Sequence, residues 1–172
     1  VLWLLEPDST AVTNLRNEAR SRGIDPHRLI FAAKRPVAEH LGRLALADLA
    51  LDTFPVTSHT TGSDALWVGV PLITKIGNAF VSRVAASLLQ AAGLPELVTK
   101  TWDEYYELAL DLANNPIRYN TIRDRLSENR LTSPLFDTER FTKNLERLYK
   151  RIWSDHEQGK REIIVLNGQV EN

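Results

Sequence analysis

Short apolar runs recur along this chain, each followed by a segment whose apolar residues repeat at three-and-four spacing, and this alternation narrows the fold more than any other feature. The runs are Val1-Leu2-Trp3-Leu4-Leu5, Leu29-Ile30-Phe31-Ala32, Leu49 to Thr53 and Pro71-Leu72-Ile73-Thr74. The first helical segment spans about Thr10 to Arg22, with Val12, Leu15 and Ala19 on one side and Gly23 to end it. The second begins at Pro36, whose missing N–H suits a helix start, and carries Val37, Leu41, Leu44 and Ala45. A third opens near Thr60 or Thr61 and closes by Gly69; a fourth is marked by Val81, Val84, Ala85 and Leu88 and stops at Gly93. Strands and helices in this order imply right-handed βαβ units. The expected class is α/β, a Rossmann-like, doubly wound parallel sheet with helices on both faces.

The remainder reads as helical. Trp102, Tyr105, Tyr106, Ala109, Leu112 and Ala113 form the clearest amphipathic pattern, broken by Asn114-Asn115-Pro116. A basic helix follows to about Arg130, then the turn Ser133-Pro134-Leu135-Phe136-Asp137. A last helix, expected over 138–155, sets Phe141, Leu145, Leu148, Tyr149 and Ile152 on its inner face. Trp3, Trp67, Trp102 and Trp153 are expected in the core. The folded domain is drawn as residues 1–156 and the tail as 157–172, where Ile163-Ile164-Val165-Leu166 reads either as a terminal strand or as a sticky, disordered end.

Composition bounds the partners. With 172 residues, 43% of them hydrophobic, the chain can bury one sizeable core. A formal charge of -1 gives no global field to attract nucleic acid or a membrane surface. No run reaches membrane-spanning length and nothing resembles a signal peptide. The absence of cysteine rules out disulfides and thiolate metal sites and fits a cytoplasmic setting. The chain has no methionine and opens on an apolar run of the kind buried on both faces of a parallel sheet, so the expectation is a fragment of a longer polypeptide.

Ligands of such sheets bind beyond the carboxyl ends of the strands. There the sequence places Lys34-Arg35 after the second strand and His59-Thr60-Thr61-Gly62-Ser63-Asp64 after the third. Two hydroxyls and free N–H groups at a helix start make an anion site, and Gly62 would let a ligand approach the backbone. A pyrophosphate fits there without a metal. Asp64, expected in the first turn, either complements the helix dipole or accepts from ribose hydroxyls. The same residues also suit ordinary helix capping. His40 shares the stripe of Val37, Leu41 and Leu44, which makes it either a half-buried structural histidine or a ligand contact. Lys34 and Arg35 are either a solvated pair or phosphate and base contacts, and Arg83 is a helix-face residue. No G-x-G-x-x-G, Walker A loop, G-x-S-x-G elbow, Asp-x-Asp pair or spaced histidine pair occurs, so no cofactor and no metal are expected.

Taken in order, several segments resemble the C-terminal catalytic lobe of the O-linked N-acetylglucosamine transferases, glycosyltransferase family 41. They are the opening run, Arg28-Leu29-Ile30-Phe31, Glu39-His40-Leu41, Ala47 to Thr53, His59 to Trp67, Gly69-Val70-Pro71, Ser82 to Ser87, Ser133 to Asp137 and Glu146-Arg147-Leu148-Tyr149. The resemblance covers about residues 1–155 and implies the C-terminal lobe of a GT-B glycosyltransferase. It implies that the backbone around Lys34 and Arg35 meets uracil and that His40 meets the uridine. His59, Thr60 and Thr61 would meet the diphosphate, and Asp64 the ribose. It further implies a UDP-sugar donor, a protein or peptide acceptor held by an N-terminal lobe and tetratricopeptide repeats, and no catalytic base within these residues. Animal members carry a lysine three residues before the histidine, where this chain has Val37. That contact is lost or falls to Lys34 or Arg35. The alternatives are therefore a hexosyltransferase of the same family using another UDP-sugar, or a non-catalytic interaction lobe.

Overall fold

The computed structural model describes residues 1–161. Strand β1 (Leu2–Leu5) leads through helix α1 (Ser9–Ser21) and a short 3-10 turn at Pro26–Arg28 into β2 (Leu29–Ala32). The two strands run parallel, with Leu2 opposite Leu29 and Leu5 opposite Ala32. Asp8 starts α1 by accepting the Ala11 N–H at 3.0 Å. Gly23 ends it with φ of +74°, a backbone state that only glycine adopts without strain.

The second half holds helix α2 (Val37–Leu44), β3 (Ala50–Leu51), α3 (Thr60–Trp67), β4 (Leu72–Lys75), α4 (Val84–Ala91), β5 (Val98–Thr99), α5 (Trp102–Asn114), α6 (Pro116–Asn129) and α7 (Thr138–Glu157). Strands β3, β4 and β5 form a parallel sheet in that order, so β4 is central and is covered on both sides. Its Leu72, Ile73 and Thr74 are buried. Around it gather Leu66 of α3, Ala85 and Leu89 of α4, Leu108 and Leu112 of α5, and Ile122 and Leu126 of α6. Each leucine or isoleucine so enclosed contributes about 1.5–3 kcal/mol relative to exposure. Thr101 and Glu104 close a reciprocal capping box at the start of α5.

All strand pairings are parallel, as the alternation predicts, but the hydrogen bonding falls into two groups, β1-β2 and β3-β4-β5. Among the described residues no strand joins β1 to β3. The opening run is accordingly not buried on both faces: Val1, Leu2 and Leu5 are exposed. Strand β3 is two residues long, shorter than the Leu49–Thr53 run. Phe80–Ser82 is a 3-10 turn, so α4 starts at Val84 instead of Val81. Strand β5 (Val98–Thr99) lies outside the four apolar runs. Val37, expected on the inner stripe of α2, is exposed at 72%.

The apolar stripe of α7 is present, but it does not face a core. Leu145 and Leu148 are half-buried, while Phe141, Tyr149 and Ile152 are exposed. Spacing establishes that residues share a helix face; it does not supply the surface that covers it. The tryptophans also depart from expectation. Trp3 is half-buried, and Trp67, Trp102 and Trp153 are exposed. Three of the four rings sit in surface aromatic contacts instead: Trp102 meets Phe54 and Tyr105 edge-on at 5.8 and 5.6 Å, Trp67 meets Phe136 at 5.1 Å, and Trp153 lies by His156 at 5.9 Å. The segment 163–166 lies outside the described residues.

Candidate functional site

An open cleft of about 560 Å³ lies at the carboxyl end of β3, walled by Leu51, Asp52, Thr53, Val56 and the run Thr57-Ser58-His59-Thr60-Thr61. This is where a parallel α/β sheet presents ligand sites. Helix α3 begins at its rim. His59 occupies the N-cap position, and no side chain caps the helix. The Gly62 and Ser63 N–H groups turn back to the His59 carbonyl at 3.1 Å each. The N–H groups of Thr60 and Thr61 take no partner among the described residues, nor do their hydroxyls. Both threonines are exposed at the cleft. The capping account of these threonines therefore does not hold: two N–H groups and two hydroxyls stand free at the positive end of the helix, an arrangement suited to an anion.

The loop that delivers this rim is held from beneath. Asp52, at the end of β3, is buried, and its Oδ1 accepts the N–H of Thr53 at 3.0 Å and of Ser58 at 2.7 Å. Its Oδ2 accepts the Thr74 hydroxyl at 2.6 Å. Thr57 donates both its N–H and its hydroxyl to the Val81 carbonyl, at 2.9 and 2.7 Å. The Tyr105 hydroxyl donates to the Asp52 carbonyl at 3.0 Å. Burial pushes the Tyr105 phenol from its ordinary 10.0 up to about 12, and the Asp52 carboxylate adds to the rise.

Of the residues singled out from the sequence, His59, Thr60 and Thr61 come together in the cleft. Lys34, Arg35, His40 and Asp64 do not line it. Lys34 and Arg35 are exposed in the loop between β2 and α2, and His40 is half-buried on α2. Asp64 is half-buried in the second turn of α3, not the first. Gly62 also has another reason than ligand approach. It is buried, and a Cβ there would lie 2.7 Å from Ser58 Oγ and 3.2 Å from Leu72 and Leu88 side-chain carbons, so it serves the close packing of α3 on β4 and α4.

Sequence reasoning missed three residues that shape the site. Asp52 and Tyr105 are two; Arg43 is the third, donating to the Ala33 carbonyl at 2.9 Å and so anchoring the Lys34-Arg35 loop to α2. The only local signal was an aspartate at the end of an apolar strand, where burial forces it to find donors. Among the described residues no group of three or more His, Asp or Glu is arranged to hold a metal, and no helix is long and apolar enough to cross a membrane.

Residues 1–145 match the sequence profile of glycosyl transferase family 41. The chain belongs to that family. Among family 41 relatives, it is 40% identical over 161 residues to the probable UDP-N-acetylglucosamine–peptide N-acetylglucosaminyltransferase SEC of Arabidopsis thaliana, covering 93% of this chain and 16% of that protein. It is 37% identical over 159 residues to the UDP-N-acetylglucosamine–peptide N-acetylglucosaminyltransferase of Caenorhabditis elegans, covering 92% of this chain and 14% of that one. A solved O-GlcNAc transferase mutant of Thermobaculum terrenum superposes with a TM-score of 0.83 at 34% identity, over 88% of this chain and 29% of that chain. This family 41 chain thus spans a small part of the length of its relatives.

Proposed function

We propose that this chain is the UDP-sugar-binding lobe of an inverting protein O-glycosyltransferase that moves N-acetylglucosamine from UDP to serine or threonine of a protein. The observation that carries the reading is the free set of Thr60 and Thr61 N–H and hydroxyl groups at the start of α3, in the cleft at the carboxyl end of β3. In this reading the diphosphate rests on that helix end beside His59, with Asp64 toward the ribose, His40 toward the uridine and the Lys34-Arg35 backbone toward uracil. Charge grows on the diphosphate as the glycosidic bond breaks. Preorganised N–H and hydroxyl donors stabilise that charge more in the transition state than in the ground state, which lowers the barrier without a metal. Two relatives bear names that specify UDP-N-acetylglucosamine as donor and a peptide as acceptor, which supports the choice of substrate. The exposure of Val37 at the start of α2 leaves room for a different sugar, since no cation projects from that position.

Deprotonating and aligning the acceptor hydroxyl falls, in this account, to residues outside this chain, on a catalytic lobe and tetratricopeptide repeats of the same cytoplasmic polypeptide. A positioned base contributes about 10²–10⁴-fold and alignment several kcal/mol more. The purified chain, incubated with labelled UDP-N-acetylglucosamine and an acceptor peptide, is therefore expected to transfer nothing. Transfer returns when the chain is part of the full-length protein. Transfer by the chain alone, above background, would mean that the catalytic groups lie within residues 1–172.

A further inference from the structure

We infer that Asp52 is a positioning residue for the donor cleft, setting the loop from which His59, Thr60 and Thr61 project; the inference rests on the donor-binding reading above. The geometry is specific. Asp52 follows the last residue of β3, and its N–H is tied to the Ile73 carbonyl at 3.1 Å, so its own backbone is fixed to β4. From that fixed point one carboxylate oxygen takes the N–H of both Thr53 and Ser58, closing the loop between them. The other oxygen is locked by the Thr74 hydroxyl of β4. Ser58 immediately precedes the N-cap of α3, so the 2.7 Å bond to its N–H fixes where the helix start lies relative to the sheet.

Asp52 also lines the cleft, which raises the alternative that it touches the ligand. Its chemistry argues otherwise. A carboxylate repels a diphosphate, and both oxygens are engaged by donors on the protein side. An apolar replacement would leave the half-buried Ser58 N–H without an acceptor, and the loop would turn to solvate it. Charge-assisted acceptance of several donors at once is what a carboxylate does better than any other side chain of this size.

The test is UDP titration by calorimetry on the whole chain, with melting temperature followed in parallel. Asp52→Ala is expected to weaken UDP binding by about tenfold or more, and Asp52→Asn, which keeps an oxygen for the two N–H groups, by no more than about threefold. Thr99→Val is the control for a purely structural role. It removes a buried hydroxyl that donates to the Thr74 carbonyl at 3.0 Å, without touching the loop, and is expected to lower the melting temperature at unchanged UDP affinity. Should Asp52→Ala not fold, Thr74→Val carries the test: it frees only the second carboxylate oxygen and is expected to weaken UDP binding by about threefold. Folded Asp52→Ala that binds UDP like the wild type, or Thr74→Val indistinguishable from Thr99→Val in affinity, overturns the positioning role alone. A wild-type chain that does not bind UDP overturns the donor reading and this inference with it.

Discussion

Tyr105 shows how a single residue joins the helical half of the molecule to the cleft. Its hydroxyl reaches the Asp52 carbonyl across 53 residues of sequence, and burial keeps the phenol protonated up to about 12. In the unfolded chain it titrates near 10, so the folded state holds the proton more tightly. The resulting stabilisation is complete below about pH 10 and is lost as the pH rises toward 12. Tyr105→Phe is expected to cost about 0.5–1.5 kcal/mol near neutrality, read as a lower melting temperature. The gap between wild type and variant should then narrow in melts taken between about pH 10 and 12. A gap that stays constant or widens there would deny the phenol this role. Neither Asp52 nor Tyr105 was legible as a site residue, because their partners lie 6, 22 and 53 positions away and only the folded chain brings them together. His59, Thr60 and Thr61 were legible, because what marks them is local: hydroxyls and a histidine where an apolar strand gives way to a helix.

At the scale of elements, α3 is the piece on which the account turns. It is eight residues long and lies against β4 and α4 at Gly62, with no room for a side chain. Gly62→Ala would bring a methyl group to 2.7 Å from Ser58 Oγ and into contact with Leu72 and Leu88. The expected cost is about 1–3 kcal/mol of stability by overpacking. Because Ser58 is the residue that yields, UDP affinity should fall as well; a variant as stable as the wild type would contradict the close packing. Helix α5 was readable over Trp102–Asn114 since its stripe is strong and Asn115-Pro116 ends it. Strand β5 was not, because two residues after a 3-10 turn carry no periodicity to read. The start of α4 shifted for a similar reason: Val81 has helical spacing to Val84, yet its turn is 3-10.

Across the whole molecule, burial is uneven. The core sits around β4 with α3 to α6, whereas among the described residues the β1-α1-β2 unit buries only Ala19, and that one still 9% exposed. The sequence conveyed parallel α/β architecture because alternation is a property of each segment. It could not convey the break between β1 and β3, or the uncovered stripe of α7, because which surfaces meet is decided by tertiary partners. The cleft belongs to the well-packed part, where β3, β4 and α3 are held together, and that is why binding by this chain can be asked of it directly. Calorimetric titration of UDP into the wild type and into the double variant Thr60→Ala, Thr61→Ala, each with and without chelator, tests the central claim. Measurable, weak binding by the wild type, unchanged by chelator, is expected, with a loss of about 0.5–1.5 kcal/mol per hydroxyl removed. Binding abolished by chelator, or a double variant that binds as the wild type does, would contradict it.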